Sequence, residues 1–269
     1  MLHNRIVEWI KDYAKSNKRK SLVVGISGGI DSSVVSTLCA KTGLPVFAVS
    51  MPIAQLEDQH DLSVAHGEWL TEKFINVEHL VVELDKVYDR FYLDMLSIDM
   101  DDELALANSK SRLRMVALHQ ISGAKKGLVV GTGNKVEDFG VGFYTKYGDG
   151  GVDISPIADL MKTEVWQLGK DLGILQEIID APPTDGLWED GRTDKDQLGG
   201  LTYEQLERAM VLDEMSPNAP LDEMNAIATK DDIALLGKYR QIRKPNLHKM
   251  ESIPVFKNDS TTQTSDSKG

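Results

Sequence analysis

The stretch from Ser21 to Cys39, SLVVGISGGIDSSVVSTLC, constrains the fold more than any other part of the chain. Leu22, Val23, Val24 and Ile26 form a short, β-branched apolar run, the pattern of a parallel strand buried on both faces. Ser27-Gly28-Gly29 then removes side chains where the chain must turn sharply. Asp31-Ser32-Ser33 supplies capping groups ahead of Val34, Val35 and Leu38, which recur at helical spacing. Strand, tight loop and helix together bring backbone N–H groups and hydroxyls to a helix N-terminus, a geometry that holds phosphate oxygens. The loop is not a Walker A motif, because no Gly-Lys-Ser/Thr closes it, and the Gly-x-Gly-x-x-Gly spacing of a dinucleotide fingerprint is missing.

The same alternation continues along the chain. Leu2, Ile6, Trp9, Ile10 and Tyr13 share one face of an opening helix. PVFAVSM at 45–51 reads as a second buried strand, 55–74 as a long helix with Leu62, Ala65, Trp69 and Leu70 inward, and 76–84 as a third strand. A long helix over 101–123 carries Asn108, Arg112 and Arg114, and 126–132 is a fourth strand ending in Gly131, Thr132, Gly133, Asn134 and Glu137. This grammar predicts an α/β fold with a doubly wound, mostly parallel sheet, helices on both faces and a ligand crevice at the carboxyl ends of the strands. A Gly-rich, aromatic loop is expected over 140–153, a helix over 159–172 and a mobile lid over 182–200. Further helices are expected over 203–215 and around 222–239, with basic residues gathered over 238–249. One domain is expected over 1–256. The tail over 257–269 has nothing to bury and is expected to be disordered.

A formal charge of -12 and 42 acidic against 30 basic residues argue against a nucleic-acid partner. They also require that an anionic nucleotide be met by local cations or a metal. No run approaches the roughly 18 apolar residues of a membrane span, and 1–20 is too charged for a signal peptide, so a cytoplasmic location is expected. The single cysteine, Cys39, rules out an internal disulfide and a thiolate zinc cluster.

SGGIDS resembles the pyrophosphate loop of the N-type ATP pyrophosphatases, with Ser27, Gly28, Gly29, Asp31 and Ser32 matching. Joined to NSKSRLRM and GTGNKVEDFGVGFYTKYGDGGVDISP, it narrows the resemblance to the ammonia-dependent NAD synthetases, over about 13–249. That resemblance implies the adenine nucleotide alpha hydrolase-like fold and the conversion of deamido-NAD, ATP and ammonia to NAD, AMP and pyrophosphate through an adenylated carboxylate. It also implies a homodimer built on the opening and long mid-chain helices. For ATP it implies Gly25, Ile26, Ser27, Gly28, Gly29, Ile30, Asp31, Ser32, Gln55, Thr132, Lys162, Thr184, His248 and Lys249. For the deamido-dinucleotide it implies Tyr13, Arg112, Phe143, Lys146, Asp149, Asp153, Gln197, His248 and Lys249.

The reaction needs donors and a hard cation where charge builds on the leaving pyrophosphate, so Asp31 and Glu137 are the expected Mg²⁺ ligands, as the resemblance also implies. Lys162 is expected to act on the phosphates. Asp149 and Asp153 are expected to hold or deprotonate ammonium. Gln197, His119 and the extra glycine at Gly199-Gly200 depart from the family pattern near the adenosine end. A chain of this length has no room for a glutaminase domain, so free ammonia, or ammonia from a separate partner, is the expected nitrogen donor. The competing readings are another pyrophosphate-loop amidating or tRNA-modifying enzyme, and a regulator that senses ATP without turning it over.

Overall fold

The computed structural model describes residues 1–53, 57–188, 190–215, 217, 219–221, 224 and 228–258. Gln55 and most of the expected tail lie outside the described residues. The elements run α1 (Leu2–Ser16), β1 (Ser21–Gly25), α2 (Ile30–Lys41), β2 (Val46–Ser50), α3 (Glu57–Lys73), β3 (Val77–Val81), α4 (Asp85–Leu96), α5 (Glu103–Lys125) and β4 (Gly127–Val129). A π-helical turn over Val136–Val141 follows. Then come α6 (Lys162–Leu172), α7 (Gln176–Asp180), α8 (Asp194–Gln197), α9 (Tyr203–Met215), α10 (Lys230–Arg243) and α11 (Leu247–Met250).

Among the described residues the strands make one parallel sheet in the order β3-β2-β1-β4. From β1 the chain winds outward to β2 and β3, then returns to place β4 on the other side of β1. The winding direction therefore reverses between β1 and β4, and a crevice opens there at the strands' carboxyl ends. The alternation of β1 explains why both faces are covered. Leu22 and Val24 pack into a core with α1, α2 and α6, while Val23 faces a second core with Leu113 and Leu118 of α5. Each such side chain contributes roughly 1.5–3 kcal/mol by leaving water. A further cluster, centred on Leu206, Met210, Leu212 and Leu236, joins α9 and α10 to the π-helical turn.

The expected strands and α1, α2, α3, α5 and α9 are present, with ends shifted by a few residues. Helix α6 begins at Lys162 rather than 159, and α10 at Lys230, where Thr229 caps it by accepting from Asp232 N–H. The loop expected from 140 is preceded by the π-helical turn, which already takes in Gly140 and Val141. Helix α4, not anticipated from the sequence, lacks a side-chain cap and fully buries no residue, with Tyr88 resting against the core beside β2. Cys39 is fully buried in α2, and burial pushes its thiol pKa up.

Candidate active site

The crevice between β1 and β4 collects a compact charged cluster. Lys162, only 3% exposed, places its Nζ 2.5 Å from Asp31 Oδ2 and 2.9 Å from Glu137 Oε1. Three elements deliver these groups. Asp31 lies in the first turn of α2. Glu137 is carried by the π-helical turn, whose first N–H groups, Val136 N and Glu137 N, donate to Asn134 Oδ1 at 3.0 and 3.1 Å. Asn134 Nδ2 donates in turn to Asp31 Oδ1 at 3.0 Å, so one fully buried amide sets both carboxylates.

Lys162 is placed by the start of α6. Glu164 accepts from Met161 N–H at 2.8 Å, and Glu207 of α9 accepts from Thr163 N–H and Oγ1 at 2.9 and 2.7 Å. On the same face of α6, two turns on, a Cβ at Gly169 would stand 2.6 Å from Ile30 Cδ1, so glycine lets α6 lie against the head of α2 without displacing that side chain. Burial opposes the charge on Lys162, but Asp31, Glu137 and Asp194 outweigh it and hold the ammonium pKa up. Burial raises the Asp31 pKa, Lys162 pulls it down, and Glu137 adds to the rise. Tyr203 OH lies 2.7 Å from both Glu137 Oε1 and Asp194 Oδ2. One hydroxyl proton cannot serve two ionised acceptors, which agrees with burial and Glu137 pushing Asp194 up to about 7.

The pyrophosphate-like loop sits against this cluster. Ser27 N–H donates to Ser32 Oγ at 3.1 Å, Gly29 N–H donates to Ser27 Oγ at 3.2 Å, and the Ser32 and Ser33 hydroxyls donate to Gly29 O. Gly28 adopts φ 86°, the left-handed region that a side chain would strain. Ile26 and Ile30 are buried, so only their backbones face the loop.

Next to it lies a cavity of about 160 Å³, lined by Gly131, Gly133, Asp138, Tyr144, Asp149 and Ser155 among others. Asp149 Oδ1 accepts from Ser111 Oγ at 2.8 Å and from Thr145 N–H at 2.9 Å, and burial nevertheless raises its pKa. Asp138, which sequence reasoning missed, has its carboxyl pushed up to about 8 by burial and then by Glu137, Asp149 and Asp31. The signal available was its place beside Glu137 on a strand-end turn, where an acid has little reason to be structural.

Other expected residues are placed differently. Asp153 does not line this cavity: it is exposed, and its Oδ2 accepts from Val129 N–H at 2.7 Å, satisfying the last turn of β4. Phe143 packs against the α9–α10 core, and the cavity wall is Phe139 and Tyr144 instead. Lys249 Nζ donates to Gly142 O and Tyr144 O at 2.6 and 2.7 Å, and Lys146 Nζ to His248 O at 2.8 Å, so the His248-Lys249 pair docks on the 142–146 loop. Arg112 is exposed and donates to Lys146 O at 3.4 Å. Arg114 donates to Met51 O at 3.0 Å, its pKa lowered by burial to about 10.

In the expected lid, Thr184 Oγ1 donates to Arg192 O at 3.3 Å, Gln197 Oε1 accepts from Trp188 Nε1 at 2.9 Å, and Lys110 reaches Leu187 O at 3.3 Å. His119 Nε2 donates to Gly151 O at 3.0 Å. Thr132 stands half-buried at the crevice edge, and Tyr13 lies on the exposed face of α1, its ring 5.9 Å from that of Trp9.

Two carboxylates that share one ammonium are close enough to share one hard cation, and their oxygens are the donors that Mg²⁺ takes. A pair also suits a metal that keeps waters and substrate phosphates in its shell. The residues present therefore fit Mg²⁺.

The family model described as NAD synthase matches residues 2–251. The NH(3)-dependent NAD(+) synthetase of Methanosarcina mazei is 36% identical over 258 residues, covering 94% of this chain and 96% of the relative. That of Carboxydothermus hydrogenoformans is 36% identical over 217 residues, covering 79% and 85%. Among solved structures, an NMN synthetase from Francisella tularensis superposes with a TM-score of 0.79 at 28% identity, covering 94% of this chain and 96% of that one. The NH3-dependent NAD synthetase from Campylobacter jejuni, in complex with nitrate, gives 0.72 at 25%, covering 95% and 97%. Its fold, its crevice and these likenesses agree: the chain belongs to the NAD synthase family and is a ligase of that kind.

Proposed function

We propose that this chain amidates the nicotinate carboxyl of deamido-NAD with ammonia, consuming ATP and releasing AMP and pyrophosphate. The observation that carries the reading is the meeting of Asp31, Glu137 and Lys162 beside a phosphate-type loop at the reversal point of the sheet. In the first step a carboxylate oxygen attacks the α-phosphorus and the bond to the β-phosphate oxygen breaks. Charge then develops on pyrophosphate, where Ser27, Gly28, Gly29, Ser32 and the positive end of α2 supply donors. Asp31 and Glu137 would hold Mg²⁺, which would neutralise phosphate charge. Lys162 supplies a fixed positive charge to the same region, and Thr184, Lys249 and His248 close it from the lid and the chain's late helix.

In the second step ammonia attacks the acyl carbon, AMP leaves, and the nitrogen sheds a proton. Ammonia reaches the protein mainly as ammonium, so an acceptor is needed. Asp149, buried with a raised pKa and lining the glycine-rich cavity, fits that role better than Asp153, which is exposed and does not line it.

Two chains would complete the binding surface. Helix α4 buries none of its residues and leaves Val87, Tyr92, Leu93 and Leu96 exposed, with Ile98, Met100 and Leu104 exposed just beyond it. Tyr13 sits apart from the crevice cluster on α1. A homodimer that covers these faces accounts for both. Among the described residues no helix is long and apolar enough to cross a membrane.

The similarity to an NMN synthetase favours a second substrate, the deamido-mononucleotide, since both reactions amidate the same nicotinate carboxyl. Incubation with ATP, Mg²⁺, ammonium or glutamine, and either deamido-nucleotide tests the whole reading. Formation of the amide with AMP and pyrophosphate in equal amounts, from ammonium and not glutamine, is the expected result. Pyrophosphate release that needs neither nicotinate acid would overturn it.

A further inference from the structure

Behind the phosphate-type loop, on the side away from the charged cluster, runs a chain of buried hydroxyls that the reaction above does not use. Ser63 of α3 donates its Oγ hydrogen to Ile26 O at 2.8 Å. Ser63 Oγ lies 2.6 Å from Ser50 Oγ of β2, and Ser50 Oγ lies 2.9 Å from His79 Nε2 of β3. Ser50 and Ser63 are 0% and 3% exposed.

The directions of these bonds are fixed by chemistry. A carbonyl only accepts, so Ser63 spends its proton on Ile26. Ser50 must then donate to Ser63, and His79 must donate to Ser50 from a protonated Nε2. The imidazole is held in the tautomer that keeps the whole chain satisfied. Burial lowers the His79 pKa, which favours that neutral form, while Glu68 and His60 act on it with opposite signs. A Cβ at Gly67 would stand 2.5 Å from the His79 ring, so α3 carries a glycine where the imidazole must lie flat against it.

The chain ends on the peptide that opens the loop. Ile26 O and Ser27 N–H belong to one trans peptide plane and point in opposite directions. Fastening the carbonyl inward to Ser63 therefore aims the Ser27 N–H into the loop, where it meets Ser32 Oγ at 3.1 Å. Ile26 N–H, in the preceding peptide plane, is held by Val49 O at 2.9 Å, so the residue that leads into the loop is anchored to β2 as well.

We propose that Ser63, backed by Ser50 and His79, is a positioning residue for the leaving diphosphate: it sets the first loop peptide so that Ser27 N–H holds Ser32 Oγ in place and the loop keeps the shape that receives the anion. This rests on the reading of the loop as the pyrophosphate site.

Binding of inorganic pyrophosphate and of ATP with Mg²⁺ to the full chain would be measured by calorimetry, beside the amidation kinetics. Ser63→Ala is expected to weaken both ligands about tenfold, the order expected when a buried acceptor loses its partner. KM for ATP should rise with it while KM for the deamido-nucleotide holds. Ser63→Thr, which keeps the hydroxyl, should restore binding, and Gly67→Ala should produce a smaller loss by displacing His79. Thr42→Val is the control: Thr42 Oγ1 bonds only around the far end of α2, donating to Cys39 O and accepting from Leu44 N–H. It should lower Tm without touching either affinity. Unchanged binding in a folded Ser63→Ala chain, or an equal loss in Thr42→Val, would overturn the proposal. A wild-type chain that binds ATP yet forms no amide would sink the functional reading while leaving this comparison standing.

Discussion

Helices α2 and α4 are both 12 residues long, and they are treated by the fold in opposite ways. Every residue of α2 except Asp31 and Lys41 is buried, serines and threonine included, whereas α4 buries nothing. The polar residues of α2 are tolerable because each finds a local acceptor: Ser33 and Ser32 return to Gly29 O, Ser36 and Thr37 to Ser33 O. Its one half-exposed acid points into the crevice. Burial in α2 is thus completed by the chain itself and ends on chemistry, while α4 presents Tyr92, Leu93 and Leu96 to whatever stands outside.

The sharpest break of that contrast is at Asp31. Asp31→Ala should lower amide formation by about 10³-fold or more, the loss expected when a group stabilising transition-state charge is removed. The helix should persist, because its packing lies elsewhere. Near-normal turnover in Asp31→Ala would remove the crevice from the mechanism. Lys162→Met is expected to cost about 10²-fold in rate and, because it leaves Asp31 and Glu137 facing each other without a counter-charge, roughly 3 kcal/mol in stability. Adding Glu137→Gln should return much of the stability but none of the rate, measured by denaturant unfolding and by amide production.

The other side of the comparison is tested on α4. Paired substitution of Leu93→Glu and Leu96→Glu should convert the proposed dimer to a monomer by light scattering. The variant should keep its far-UV spectrum, since neither side chain supports the chain's own core. A wild-type chain that is already monomeric would refute the assignment of this face.

How much of this was legible follows from where the information sits. β1 and β2 could be read because a strand covered on both faces must be apolar throughout, and the loop because glycines and small hydroxyls have few other uses at a strand end. Helix α4 had no capping side chain, and its inward residues, Tyr88, Phe91 and Met95, are only half-buried. The polar partners of the site are a different matter. Asn134 was visible only as one more polar residue at a strand end, and its double role, capping the π-helical turn and holding Asp31, depends on a contact across 103 positions of sequence. Asp153 and Asp149 look equivalent in YGDGGVD, yet the turn sends one to Ser111 and the other to the backbone of β4. Such choices are set by three-dimensional closure, which a one-dimensional pattern does not carry.

The smallest expected effect again separates α2 from α4. His66 of α3 is fully buried and bonded to Ser36 of α2 at 2.9 Å, and burial, with His79, lowers its pKa to about 4. In the unfolded chain the imidazole titrates near 6.5. Above that value neither state carries the proton, and the stabilisation is fully present. Between about 6.5 and 4 the unfolded chain binds a proton that the folded chain refuses, so stability falls as pH drops, by roughly 3 kcal/mol across the window. His66→Gln should be less stable at pH 7, because it disturbs the bond to Ser36, yet lose less on acidification than the wild-type chain. Substitutions on α4 should leave that acid slope unchanged. Parallel pH curves for wild type and His66→Gln would show that the imidazole is not what couples α2 to acid.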